Sequence, residues 1–340
     1  MKDTINIAID SMGSETNLDE IVIGLEESAL RNENIKFTIF GNKNDLNYFI
    51  DKTKALKLKS SIIHCDEEVI MADKPTEVIR SKKKSSMHLS IDHVNSGLSD
   101  AVISCGNTGA LMALSLLKLR TIASIKRPAI ASIWPNLKGE SIVLDLGANV
   151  KNESSSLIDN AILGSALAKA LFNMDNPSIG LLNVGIEDTK GNDVVQKASE
   201  TLIQMNLENK INYLGFIEGN DIAIGKTNVV VTDGFTGNVA LKTAEGTANM
   251  VKIFFKDAFE SSLISKMGYF MASLPINTVK QKLDPSVHNC GIFIGLSAPV
   301  IKCHGNSNHL GISYASDIAY SLIEKQVNQK VKMILADNKD

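Results

Sequence analysis

Residues 178–185 read SIGLLNVG, and the stretch 190–207 beyond them carries apolar positions at a period of 3.6. The first run is nearly continuous in Ile and Leu, with no polar alternation to give it a wet face. Strands of that kind are buried on both sides, as in parallel sheets. The same pattern recurs in INIAID (5–10), KFTIFG (36–41), DAVISCGN (100–107), SIVLDLGAN (141–149) and NVVVTDGFTGN (228–238). Helical stretches such as 155–172 separate them. The alternation predicts an α/β fold, three layers deep, with helices on both faces of a largely parallel sheet.

The 340 residues suffice for a sizeable core, and no Gly/Ser linker, low-complexity tract or repeat marks a boundary. We expect one α/β domain over residues 1–340. From residue 246 to residue 285 the pattern turns helical, with Leu263, Ile264, Met267, Phe270, Met271 and Leu274 at helical spacings. That segment predicts a helical hairpin projecting from the sheet. A net charge of −3 gives no reason to expect a nucleic-acid partner. The run Lys82-Lys83-Lys84 is short and lacks interleaved aromatics, as a surface patch at a helix end does. Four scattered cysteines without metal-ligand spacing fit a reduced, cytoplasmic chain. The start runs straight into TINIAID, without the basic and apolar stretches of a secretory leader. No segment approaches the ~20 apolar residues of a membrane span.

Open α/β sheets bind ligands beyond the carboxyl ends of their strands. There the chain is rich in Gly, Asn, Thr and Asp: DSMGSE (10–15), SCGNTGA (104–110), DLGANV (145–150), NVGIEDTKGND (183–193), TDGFTGN (232–238) and KCHGNSN (302–308). Each alone is ordinary turn chemistry. Together they imply a crevice lined by backbone N–H groups and amides, which suits phosphate. Neither a P-loop nor a GxGxxG dinucleotide fingerprint is present. Cys105 has no histidine near it in sequence, and Ser11 and Ser104 lack a nucleophile elbow. His304 is open to a catalytic or a structural reading, and HCDEE (64–68) lacks the spacing of a metal site. What survives is a site of cations and amides without an obvious covalent nucleophile. Such a site suits attack by a bound anion on an electrophile, helped by positioning and oxyanion stabilisation.

Taken in order, IAIDSMGSE, KKKSSM, SCGNTGALMA, RPAIA, DLGANV, LLNVGIEDTKGN, VVVTDGFTGNVALKTAEG and VIKCHGNSN closely resemble the phosphate acyltransferase family called PlsX. The match runs from about residue 4 to residue 310. The resemblance implies an acyl-[acyl-carrier-protein]:phosphate transacylase. In that reaction orthophosphate attacks a long-chain acyl carrier protein thioester, and the acyl phosphate passes to a membrane glycerol-3-phosphate acyltransferase. It also implies the fold of isocitrate and isopropylmalate dehydrogenases and phosphotransacetylases, a homodimer, no redox cofactor, and peripheral attachment to the inner face of the membrane.

Carried onto matching positions, the resemblance makes Lys190 and Asn238 catalytic. A lysine ammonium can bind phosphate and an asparagine amide can donate to a developing oxyanion. Asp10, Gly106, Asn107, Thr108, Gly109, Asn149, Asp233, Thr236, Gly237 and His304 would form the phosphate and acyl phosphate cradle, with no metal. Met267, Phe270, Met271 and Leu274 would touch lipid, beside Lys252, Lys256, Lys266, Lys280 and Lys282 and opposed by Asp257, Glu260 and Asp284. Packing against a partner subunit is the other use of that face. The first loop departs from the family's MGGD, reading Met12-Gly13-Ser14-Glu15 here, and HGSS becomes His304-Gly305-Asn306-Ser307. Two other functions remain compatible with the residues: a coenzyme A-dependent phosphotransacylase, and a non-catalytic scaffold that binds the carrier.

Overall fold

The computed structural model describes residues 4–122, 125–276 and 290–337. The first half contains β1 (Ile5–Asp10), α1 (Leu18–Arg31), β2 (Ile35–Gly41), α2 (Lys43–Ile50), α3 (Leu56–Lys59), β3 (Ser60–His64), α4 (Pro75–Ser81), α5 (Ser86–Asn95), β4 (Ala101–Ser104) and α6 (Thr108–Leu119). Next come β5 (Ala129–Asn136), β6 (Gly139–Leu144), α7 (Ser154–Phe172), β7 (Ser178–Leu182), α8 (Asp193–Leu207), β8 (Asn212–Ile217), α9 (Gly219–Ile224), β9 (Val229–Val231), α10 (Gly234–Glu260) and α11 (Leu263–Met271). Strands β10 (Gly291–Ile294) and β11 (Val300–Lys302) precede two final helices, His309–Glu324 and Val327–Asp337.

All these strands join one sheet, ordered β3-β2-β1-β4-β11-β10-β5-β6-β9-β7-β8. Pairing is antiparallel only in β11–β10, β10–β5 and β5–β6 among the described residues, and parallel elsewhere. The largely parallel expectation holds, with one consequence that sequence patterning does not carry. Strands β1, β4 and β11 run one way, while β6, β9, β7 and β8 run the other. The carboxyl-end loops of the two sets therefore leave opposite edges of the sheet, not one.

Successive residues alternate between faces, as the strand period of two requires. Ile5, Ile7 and Ile9 enter one core with Leu25 of α1, Leu163 of α7, Leu202 of α8 and Ile312. Ala8 enters the other, with Ile91 of α5, Leu114 of α6 and Ile222 of α9. Helices thus cover both faces, giving the three layers. Helix α7 is apolar nearly all round and correspondingly buried along most of its length.

Helix α10 differs from the expected hairpin. It is continuous from Gly234, so the sequence boundary at Gly246 falls inside it. Only Gly234 and Gly237 of its residues are buried; Leu241 still packs partly against the core, and the helix beyond Glu245 is mostly exposed. Helix α11 folds back against its end, with the rings of Phe259 and Tyr269 5.3 Å apart. Lys280, Lys282 and Asp284 lie outside the described residues.

Phe293 of β10 is fully buried where the two strand directions meet. Phe293→Ala should destabilise the fold by about 3–5 kcal/mol in urea unfolding, the usual cost of an emptied aromatic site. A loss below about 1 kcal/mol would show that the seam does not depend on this ring.

Candidate active site

Three adjacent strands of the first set end in polar residues of one register row. Asp10 of β1 lies opposite Ser104 of β4, and Ser104 lies opposite Lys302 of β11. Their even-numbered neighbours Ala8, Val102 and Val300 belong to the face covered by α5 and α6, so the three polar side chains share that face. All are buried: Asp10 is 2% exposed, Ser104 0% and Lys302 8%. Ser86 Oγ donates to Asp10 Oδ1 at 2.5 Å and Ser104 Oγ to Oδ2 at 2.6 Å. Burial nevertheless raises the Asp10 carboxyl to about 6, against these donors and the nearby Lys302 charge. The Lys302 ammonium is pulled below its ordinary value by burial; Cys105, Cys303 and Asp10 oppose the fall, and Lys242 of α10 adds to it.

Immediately after β4 the chain enters α6. Asn107 caps it, its Oδ1 accepting from Ala110 N at 3.0 Å. The same side chain donates to the carbonyls of Met71 at 2.9 Å and Asp73 at 3.0 Å, which ties the 70–73 loop to the helix start. Thr108 and Gly109 are exposed, and their first-turn N–H groups have no intrahelical acceptor. This helix start is open to an anion. His304, on the neighbouring loop, is exposed and bonded through Nδ1 to Asn306 Oδ1. Glu15 is exposed as well, so the unusual first loop presents it to solvent. Cys105 is buried in the core beside Cys303 and offers no thiol to a substrate.

The second group leaves the opposite edge. Asp145 organises it and went unnoticed among the candidate residues. Its carboxylate accepts from the backbone of Gly147, Ala148 and Asn149 and from Asn149 Nδ2, at 2.9–3.2 Å. An aspartate heading a Gly-Ala-Asn turn is the signal that could have found it. Asn149 also donates to Pro128 O at 2.9 Å.

Asp233 caps α10, accepting from Phe235 N at 3.0 Å, Thr236 N at 2.9 Å and Thr236 Oγ1 at 2.7 Å. Gly234 N donates to Asn149 O and Gly237 N to Asp233 O. The first N–H groups of α10 are thus already satisfied, with a carboxylate where an anion would sit. Asp233, Thr236 and Gly237 build the helix start and do not leave it open for phosphate. Gly237 permits close packing, since a Cβ there would collide with the Asp145 carbonyl. Asn238 is exposed with its amide over Gly147, and its side chain has no hydrogen-bond partner among the described residues.

Lys190 follows β7, the neighbour of β9, on that same edge. Its loop is pinned through the backbone: Lys190 N donates to Glu187 O, and Asn183 Nδ2 donates to Lys190 O at 3.1 Å. Gly191 takes φ +92°, where an L side chain is strained, and a Cβ would press on Asn183. Although acids surround it in sequence, the exposed Lys190 ammonium forms no ion pair among the described residues.

The predicted residues therefore fall into two sets. Asp10, Gly106–Gly109 and His304 share one edge; Asn149, Lys190, Asp233 and Asn238 share the other. Helix α10 links them. It starts at the second edge, carries Asn238 in its first turns, and one turn later brings Lys242 close enough to Lys302 to repel its charge. Among the described residues, no group of three or more His, Cys, Asp or Glu side chains could hold a metal ion.

This mostly parallel three-layer architecture is the fold of solved phosphotransacetylases. The solved phosphotransacetylase from Streptococcus pyogenes aligns with 98% of the chain, covering 95% of its own length, at TM-score 0.58 and 17% identity. EutD phosphotransacetylase from Staphylococcus aureus aligns at TM-score 0.56 and 15% identity, covering 94% of both chains. The family model described as fatty acid synthesis protein matches residues 5–330. Phosphate acyltransferase from Rhizobium etli is 43% identical over 329 residues, 96% of this chain and 94% of that protein. The protein of that name from Azorhizobium caulinodans is 42% identical over 333 residues, 98% and 94% of the two chains. The chain belongs to the phosphate acyltransferase family.

Because the folded carboxyl of Asp10 binds its proton more tightly than in the unfolded chain, its ionised form opposes folding. The sign is the reverse of an ordinary paired carboxylate: stability should rise as pH falls through about 6 and level off below the unfolded value of 3.8. The wild type should gain on Asp10→Asn by about 2 kcal/mol between pH 8 and pH 4, followed by urea unfolding. A difference that does not vary with pH would mean Asp10 is not buried as an acid.

Proposed function

We propose that this acyltransferase moves a long-chain acyl group from the thioester of an acyl carrier protein to orthophosphate. A phosphate oxygen attacks the thioester carbonyl, the C–O bond forms, and the C–S bond breaks. The products are acyl phosphate and the carrier thiol, whose sulfur takes up a proton. No electrons are exchanged, so the chemistry requires no redox cofactor. The observation that carries the reading is the pair of unspent polar groups beyond the ends of neighbouring strands: the Lys190 ammonium on the loop after β7 and the Asn238 amide in the first turns of α10. Lys190 offsets the charge of the incoming phosphate, and Asn238 donates to the oxyanion of the tetrahedral intermediate. Asp233, Thr236, Gly237 and Asn149 hold Asn238 in place, while the open start of α6, built by Gly106 and Asn107, offers the Thr108 and Gly109 N–H groups to the anion. Asp10 and His304 flank that start.

The exposed face of α11 with Met267, Phe270 and Met271, continued by Leu274 just beyond it, each at least 68% exposed, supports lipid contact. No helix among the described residues is long and apolar enough to cross a membrane, so contact would be peripheral, at the inner face. Lys252, Lys256 and Lys266 favour an anionic surface. A homodimer working there would deliver acyl phosphate to a membrane glycerol-3-phosphate acyltransferase. The phosphotransacetylase fold favours one other donor, acyl coenzyme A.

Purified protein given acyl carrier protein thioester and phosphate should yield hydroxylamine-reactive acyl phosphate, faster than with acyl coenzyme A. The opposite preference would move the assignment to the coenzyme A-dependent reaction, and no product at any chain length would end it. Lys190→Ala should keep its fold by circular dichroism and lose roughly 10²–10³ in turnover; undiminished turnover would remove Lys190 from the chemistry. Phe270→Glu with Leu274→Glu should abolish co-flotation with anionic liposomes, and unchanged flotation would place lipid contact elsewhere.

A further inference from the structure

The buried lysine at the end of β11 has no role in the reading above. A lysine 8% exposed at a strand position flanked by Ile301 and Cys303 is costly unless its charge is used. Among the described residues its ammonium meets no carboxylate within ion-pair distance; Nζ donates to the carbonyl oxygens of Cys105, at 3.2 Å, and Cys303. The first of these contacts is informative, because the Cys105 carbonyl and the Gly106 N–H belong to the same peptide unit. The Gly106 N–H donates to Ser104 Oγ at 3.0 Å, and Ser104 in turn donates to Asp10. The peptide leading into α6 is thus gripped at both ends, by Lys302 on its oxygen and by Ser104 on its nitrogen. A peptide held on one side only can rotate about its flanking dihedrals; one held on both cannot without breaking a buried hydrogen bond.

We propose that Lys302 is a positioning residue for phosphate: it locks the Cys105–Gly106 peptide so that the Thr108 and Gly109 N–H groups face the incoming anion. Ser104 is the second half of the clamp, and Asp10 holds Ser104. The ammonium has three N–H donors and spends two on carbonyls. When protonated, it also places a positive charge beneath the helix start, where an anion gains from it. The inference rests on phosphate being the acyl acceptor.

Two readouts separate it from that reading. Inorganic phosphate alone, without any acyl donor, should raise the melting temperature of the wild type. Lys302→Met should lose most of that rise, and in turnover should raise the phosphate KM by about tenfold or more while leaving the acyl-donor KM within about twofold. Ser104→Ala, which removes only one hydroxyl, should shift the phosphate KM in the same direction, and it decides the matter if Lys302→Met does not fold. Folded variants with the wild-type phosphate KM and the wild-type phosphate-dependent stabilisation would overturn the proposal. So would a wild type that phosphate does not stabilise. Phosphate stabilisation that disappears in the variants, in a protein that forms no acyl phosphate, would uphold the clamp and refute the transacylase reading instead.

Discussion

The antiparallel pairings of β10 and β5 at the middle of the sheet are the constraint from which the rest of the architecture follows. Two sets of parallel strands, each a buried α/β unit, point in opposite directions and are joined through that seam. Each set sends its carboxyl-end loops to its own edge. A functional site that draws on both must be connected by an element that crosses from one to the other. Helix α10 meets that requirement with its first turns, from Gly234 to Lys242. It begins at the edge of Lys190 and carries Lys242 into the influence of Lys302.

The two helix starts that frame the site have opposite electrostatic characters although their loop sequences look alike. At α10, Asp233 supplies a carboxylate to the first-turn N–H groups and neutralises the positive end of the helix dipole. At α6, the capping residue is the neutral Asn107, which reaches only Ala110 N. Its amide is turned away to hold the 70–73 loop. One end is structurally complete without a ligand; the other keeps exposed donors. This difference divides the glycine- and asparagine-rich loops into those that build the site and those that can receive an anion.

Beneath the open helix start lies a buried polar row in a largely apolar sheet. Asp10, Ser104 and Lys302 hold the chain where strand becomes helix, through hydrogen bonds that water cannot easily replace. The cost is visible in the Asp10 carboxyl, raised to about 6, and in the depressed Lys302 ammonium. Charges retained at such cost lie where the backbone must keep one conformation.

Much of this was legible in the residues. Continuous Val-Ile-Leu runs such as VVV at 229–231 marked strands buried on both faces, and the helical period at 155–172 and 190–207 marked α7 and α8 within a few residues. The motif series carried the family, because runs as long as DGFTGNVALKT are specific. Less visible were β5, whose AIASIWPN carries a proline next to its end, and β8, whose NYLGFI is broken by a glycine. The length of α10 was hidden by Gly246, an exposed glycine that a helix tolerates at modest cost. The division of the site between two edges was not legible at all. Periodicity reports which residues a strand buries, but strand direction depends on which distant segments pair, and hydrogen bonding across the sheet decides that. Composition likewise cannot distinguish Asp233, spent on its own helix, from Lys190 and Asn238, left free. That distinction arises only when folding brings donors and acceptors into contact, so local sequence determined the elements and tertiary structure decided which polar groups remain available for chemistry.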